Sequence, residues 1–153
     1  MAGIKKGINQ RADMELILKK IPFNMDYRVN EEKKLEWLAL CLGLINEGES
    51  RLGMVAVLYA LIQGLNAGIP LTISDIKQRA DKIHNMSIKT IYYHVKRLKE
   101  KGIVKKINNA YIMGDGVEKN LYNILSRIYK ERFDIIMHSM EEPINSLQVG
   151  IKH

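Results

Sequence analysis

The stretch SIKTIYYHVKRLKEKGIV, Ser87 to Val104, decides how this chain is read. Ile88, Ile91, Val95 and Leu98 fall three and four residues apart. That spacing puts them on one face of a helix running from about Ser87 to Lys101. Ser87 stands where a cap belongs, since its hydroxyl accepts from a first-turn amide that has no partner within the helix. Gly102 closes the helix. With the apolar stripe turned inward, the opposite face presents Ser87, Lys89, Thr90, Tyr93, Lys96 and Arg97. Tyr92 and Tyr93 point about 100° apart; Tyr93 is expected outside and Tyr92 packed. His84 and His94 read as ordinary surface or packed histidines, and Ser87 serves equally as a plain cap or a contact.

Working upstream, Leu71-Thr72-Ile73-Ser74-Asp75 starts another helix. The Thr72 hydroxyl is placed to accept from the Asp75 amide, and the Asp75 carboxylate to reach back, as in a capping box. Ile73, Ile76, Ala80 and Ile83 form its stripe, and His84-Asn85-Met86 makes a polar turn. Before it, Ser50 opens a helix with Leu52, Val55, Leu58, Tyr59, Ile62 and Leu65 inward, ended by Gly68 and Pro70. Downstream, Ile103–Ile107 and Ala110–Met113 are β-prone runs flanking Asn108-Asn109, two residues that tolerate positive φ. That pattern predicts a short hairpin.

The flanks read as helical. Residues 1–12 form a basic arm, and Asp13 caps a short helix, Met14–Lys20, stopped by Pro22. Asn30, followed by Glu31 and Glu32, starts a helix with acids at its positive end. Leu35, Leu38, Leu42 and Ile45 follow on one face, and Gly48 supplies the stop. After Gly114-Asp115-Gly116, a long amphipathic helix is expected from about Val117 to Met140, with Leu121, Ile124, Leu125, Ile128, Ile135 and Ile136 on one face. Pro143 is expected to end it, leaving residues 144–153 as a loose tail. The predicted class is mainly α with a small β-hairpin. Residues 1–49 are read as an N-terminal arm and helices, 50–113 as the central domain, and 114–153 as a C-terminal helix and tail.

The order helix, helix, turn, helix, hairpin over residues 50–113 is that of a winged helix-turn-helix. Ser87-x-x-Thr90-Ile91-x-x-x-Val95-x-x-Leu98-x-x-x-Gly102-Ile103-Val104 resembles the recognition-helix signature of winged-helix transcription regulators, MarR-like ones especially. Leu71-Thr72-Ile73-Ser74-Asp75-Ile76 resembles that family's preceding helix start. In overall size and in Ile and Lys content the chain is also similar to archaeal regulators of archaellum operons. Two departures stand out. The stretch from Ile76 to Ser87 is a few residues longer than the family pattern, and the two-residue hairpin loop is shorter than the usual wing, which carries an arginine at its tip.

The resemblance implies a sequence-specific reader of double-stranded DNA, and the residues allow roles to be assigned. Early residues of a helix lying in the major groove meet base edges. Ser87, Lys89, Thr90 and Tyr93 are the expected base or near-base contacts. Lys96 and Arg97 come later and meet phosphate or the groove edge. Backbone amides near Thr72 offer a further phosphate contact, while Lys105 and Lys106 grip the flanking backbone. The resemblance also implies a homodimer in which terminal helices interlock. Two-fold symmetry would then set two such helices one DNA turn apart, roughly 34 Å.

Composition agrees. The chain has 153 residues and a net charge of +7. Residues 72–113 hold ten basic residues against three acidic ones, so this one segment carries the whole surplus. A localised surplus points to a polyanionic partner. Cys41 is the single cysteine, which excludes an internal disulfide and a multi-cysteine metal cluster; it reads as a small buried residue, and the eight methionines as core filler. No apolar run is long enough to span a bilayer. Lys5 and Lys6 are followed by polar residues where a secretory leader needs an apolar run, so a cytoplasmic location is expected. There is no Gly-rich phosphate loop, HExxH or nucleophile elbow, so neither enzyme activity nor cofactor nor metal is expected. A second reading is a protein-interaction module that docks an acidic partner within a larger assembly such as the transcription machinery. RNA binding is disfavoured by the lack of an aromatic stacking platform on a sheet.

Overall fold

The computed structural model describes residues 13–45 and 51–152. Residues 17–125 form one compact unit; the rest of the described chain, 13–16 and 126–152, belongs to a second. A 3-10 turn at Met25–Tyr27 precedes α1 (Glu31–Cys41), α2 (Arg51–Ala67), β1 (Leu71–Thr72), α3 (Ile73–Ala80), α4 (Ile88–Glu100), β2 (Val104–Ile107), β3 (Ala110–Met113) and α5 (Leu121–Gly150). The architecture is mainly helical with one small antiparallel sheet.

Helix α2 is the centre of the larger unit. Ten of its residues are buried, from Gly53 to Leu65, and α1, α3, α4 and β3 all pack on it. A helix enclosed on several sides is apolar nearly all round. A single inward stripe therefore understates it: Met54, Ala56, Val57, Ala60 and Leu61 are buried too, whereas Leu52 is exposed. Ser50, the expected cap, lies outside the described residues, as do Gly48 and residues 1–12.

Three N-terminal expectations are corrected. Helix α1 starts at the Asn30 cap, whose side chain accepts from the Lys33 amide, but it ends at Cys41. Gly43, at φ 66°, stops it: its amide bonds to Leu40 O and that of Leu44 to Ala39 O, which together satisfy the last carbonyls. Ile45 is therefore not part of the helix. Met14–Lys20 is not helical either. So short a helix is marginal by itself, and this segment finds tertiary partners instead. The Lys19 amide donates to Cys41 O at 2.8 Å, and Ile17 fills the space where Gly43 lacks a Cβ. Further along, Trp37 Nε1 donates to Ile21 O at 2.9 Å, and Phe23 packs on Trp37 with ring centroids 4.8 Å apart.

The hairpin forms as expected, with Asn108 at φ 55°. Leu71 and Thr72, read only as a helix start, also pair with Tyr111 and Ala110, which gives a third strand and the order β1-β3-β2. Helix α5 begins later than expected. Asp115 Oδ1 accepts from the amides of Val117 and Glu118, which ties residues 115–118 into a turn, and Asn120 caps the helix through the Asn123 amide. Pro143 does not end it, and α5 continues to Gly150. A proline removes one backbone bond and crowds the preceding turn, but Ser139, whose carbonyl is left without that bond, is exposed to water.

Candidate nucleic-acid interface

Helix α4 is fixed from both ends and from behind. Ser87 Oγ accepts from the Thr90 amide at 3.2 Å and lies 3.0 Å from Thr90 Oγ1, so both hydroxyls are engaged in the cap. At the other end Gly102 takes φ 79° and donates to Lys99 O. Ile91, His94, Val95 and Leu98 are buried. Ile88, expected inside, is exposed, and His94 takes its place in the stripe. The imidazole fits because α2 carries Gly53 there: a Cβ on Gly53 would lie 2.6 Å from His94 Nε2.

The long turn between α3 and α4 is held by one lysine. Lys77 Nζ donates to Asp81 Oδ2 at 3.0 Å and to Met86 O at 2.8 Å. It therefore ties the end of α3 to the residue just before the α4 cap. Arg79 Nη1 reaches Gln63 Oε1 of α2 at 3.2 Å. Two of the ten cations in the basic segment are thus structural.

The outward face of α4 carries Lys89, Thr90, Tyr93 and Lys96, all exposed, with Arg97 half-buried and its guanidinium 5.8 Å from the Tyr93 ring centroid. Tyr92 and Tyr93 are each 50% exposed, so neither is the packed partner. Beside this face runs a groove of about 460 Å³, lined by Lys89, Tyr92, Tyr93, Val95, Lys96, Lys99 and Tyr111. Its floor is aromatic and aliphatic, its rim carries three ammonium groups, and no acid contributes to it among the described residues.

The hairpin supplies a fourth cation. Lys106 stands opposite Tyr111 in the β2–β3 register, and its Nζ lies 6.0 Å from that ring's centroid. Successive strand residues point to opposite faces. Lys106 is therefore on the groove side and Lys105 on the other.

Thr72 sits differently. Its amide donates to Asp75 Oδ2 at 3.0 Å and its hydroxyl accepts from the Asp75 amide at 3.1 Å, the capping box expected. These bonds hold the Asp75 carboxyl below the usual carboxylate range, so an anion already occupies this helix start. Tyr92, Lys99 and Tyr111 are the groove residues that sequence reasoning missed. Lys89, Tyr92, Lys96 and Lys99 do follow helical spacing, but only the folded hairpin brings Tyr111 against them. Elsewhere, burial pushes the Cys41 thiol above its ordinary value. Among the described residues no group of three His, Cys, Asp or Glu could hold a metal, and no helix is long and apolar enough to cross a membrane. No protein-family model, curated protein or solved structure matches the chain.

Proposed function

We propose that the chain is a sequence-specific, double-stranded DNA-binding transcription regulator of the MarR-like kind, acting in the cytoplasm. Residues 50–113 serve as its winged helix-turn-helix, with α4 in the major groove. One observation carries the reading. The exposed side of α4 and the adjoining groove gather Lys89, Lys96, Lys99 and Lys106 around three tyrosines, with no acid in the lining among the described residues. A polyanion with flat, apolar sugar and base surfaces matches that chemistry.

Roles follow from position. Lys89 and Tyr93 lie in the first two turns and reach base edges, with Ser87 and Thr90 beside them at the cap. Lys96, Lys99 and Lys106 face the groove and neutralise phosphates, and Tyr92 packs against sugar. Arg97 is steadied by Tyr93 and meets phosphate at the groove edge. Thr72 keeps its capping role, since its own amide is taken by Asp75. Lys105, on the far face of the hairpin, contributes only long-range charge.

Selection from fragmented genomic DNA by the purified protein, at about 150 mM salt, tests the reading. An enriched motif supports it. Binding without enrichment that vanishes as salt rises would leave only a basic surface, and the interaction-module reading would replace it.

A further inference from the structure

The groove beside α4 holds more aromatic surface than a duplex uses. In a duplex the base faces are stacked on one another, so a helix in the major groove meets only their edges. A tyrosine ring finds a base face to stack on where bases are unpaired. Tyr92, Tyr93 and Tyr111 nevertheless line one groove. Two of these rings are already engaged. The Arg97 guanidinium lies 5.8 Å from the Tyr93 centroid, and Lys106 Nζ lies 6.0 Å from that of Tyr111. Tyr92 differs from both. It is 50% exposed, with no ring or cation against it among the described residues. Ile88, four residues earlier on the same side of the helix, is exposed as well and extends the apolar surface.

We propose that this groove is also a site for single-stranded DNA, an unpaired base stacking on Tyr92 while the strand's phosphates follow the lysines. Lys89, Lys96 and Lys99 succeed one another along roughly 15 Å of α4, and Lys106 stands on the hairpin side. Ammonium groups in a row beside an exposed ring are what a single strand needs: the charge tracks the backbone, and every base offers a π face. No acid contributes to the lining among the described residues, so nothing there opposes a phosphate. At about 460 Å³ the groove has the size of a small-molecule site. A base with its sugar fits that space and a duplex does not. The lining offers no carboxylate or amide side chain to a ribose 2′-hydroxyl, which favours DNA over RNA. Lys96, Lys99 and Lys106 serve both kinds of strand, so duplex and single strand exclude each other. The inference does not depend on the duplex reading, because the groove holds a strand whether or not the outward face of α4 reads sequence.

Fluorescence anisotropy of a labelled oligo(dT) with the full chain tests it, at about 12 nucleotides, within the range of single-strand site sizes, and about 150 mM salt. Wild type should bind saturably. Tyr92→Ala should weaken binding at least about fivefold, the loss of one stacked base. Tyr92→Leu keeps the bulk without the π face and should fall with it, whereas Tyr92→Phe should bind like wild type. Tyr122→Ala, at an exposed position on α5, should also bind like wild type. A duplex should lose less than the oligo(dT) on Tyr92→Ala, since paired bases show the ring no face. Circular dichroism should find the wild-type helix content in each variant. Failure of the folded wild type to bind, an affinity indifferent to Tyr92→Ala and Tyr92→Leu, or an equal loss for duplex and oligo(dT) overturns the proposal. Tighter binding of an oligo(rU) of the same length overturns the assignment to DNA. A Tyr92-dependent oligo(dT) complex beside duplex binding without sequence preference supports this proposal and overturns the regulator reading alone.

Discussion

Gly53 and His94 meet where α2 passes behind α4, and their fit sets the position of α4. A glycine inside a helix costs about 1 kcal/mol relative to alanine, so Gly53→Ala would stabilise α2 if space allowed. A Cβ 2.6 Å from His94 Nε2 does not allow it. Gly53→Ala should lower stability by about 1–3 kcal/mol in urea unfolding, and combining it with His94→Ala should recover part of the loss. The hairpin lysines make a sharper test. Lys106→Ala should weaken all duplexes and reduce the slope of log K against log salt by about one; Lys105→Ala should leave the slope nearly unchanged. Equal effects from both would place the DNA elsewhere than in the groove. At this scale the sequence disclosed what is local. Ser87, Asn30 and the Thr72–Asp75 pair cap helices through bonds spanning three residues. It could not disclose Tyr111, whose place depends on a hairpin folding back along α4.

The elements show the same division. Helix α3, α4 and the hairpin were legible because each has a period, a cap and a stop close together in sequence. Helix α1 ended early because Gly43, not a later glycine, takes the left-handed turn that Ile17 packs against. Strand β1 is two residues long and has no period to detect. Asp75 gives α3 a measurable acid dependence. Its carboxyl pKa is held below the usual 3.8, chiefly by the Thr72 backbone bond. The charged form is therefore the stabilising one: its contribution is complete above about pH 4 and is lost as pH falls through the folded value. Asp75→Asn should lower stability at pH 6 in urea unfolding, and the loss should shrink as pH falls below 3.8. Pro143 works the other way. It lies inside α5 at an exposed position, so Pro143→Ala should raise the melting temperature followed at the helix band, with a gain of at most about 3 kcal/mol.

For the whole molecule, charge organises the account. The surplus of +7 lies within residues 72–113, but folding divides those cations by task. Lys77 and Arg79 hold the turn and α2, whereas Lys89, Lys96, Lys99 and Lys106 surround one groove. The four side chains assigned to phosphate, Lys96, Arg97, Lys99 and Lys106, predict a log K against log salt slope of about −4 per chain. Composition disclosed the surplus, but the division of labour required knowing which lysines find oxygen partners within the chain. The central claim is that α4 reads sequence and does not merely attract charge. The direct measurement is the affinity of wild type and Lys89→Ala for a selected duplex and for a shuffled one, at about 150 mM salt. The account predicts a wild-type preference of about 10³ or more, reduced roughly tenfold or more in Lys89→Ala by loss of a base contact, with the shuffled duplex affected less. A preference unchanged by the substitution, or absent in wild type, would contradict it.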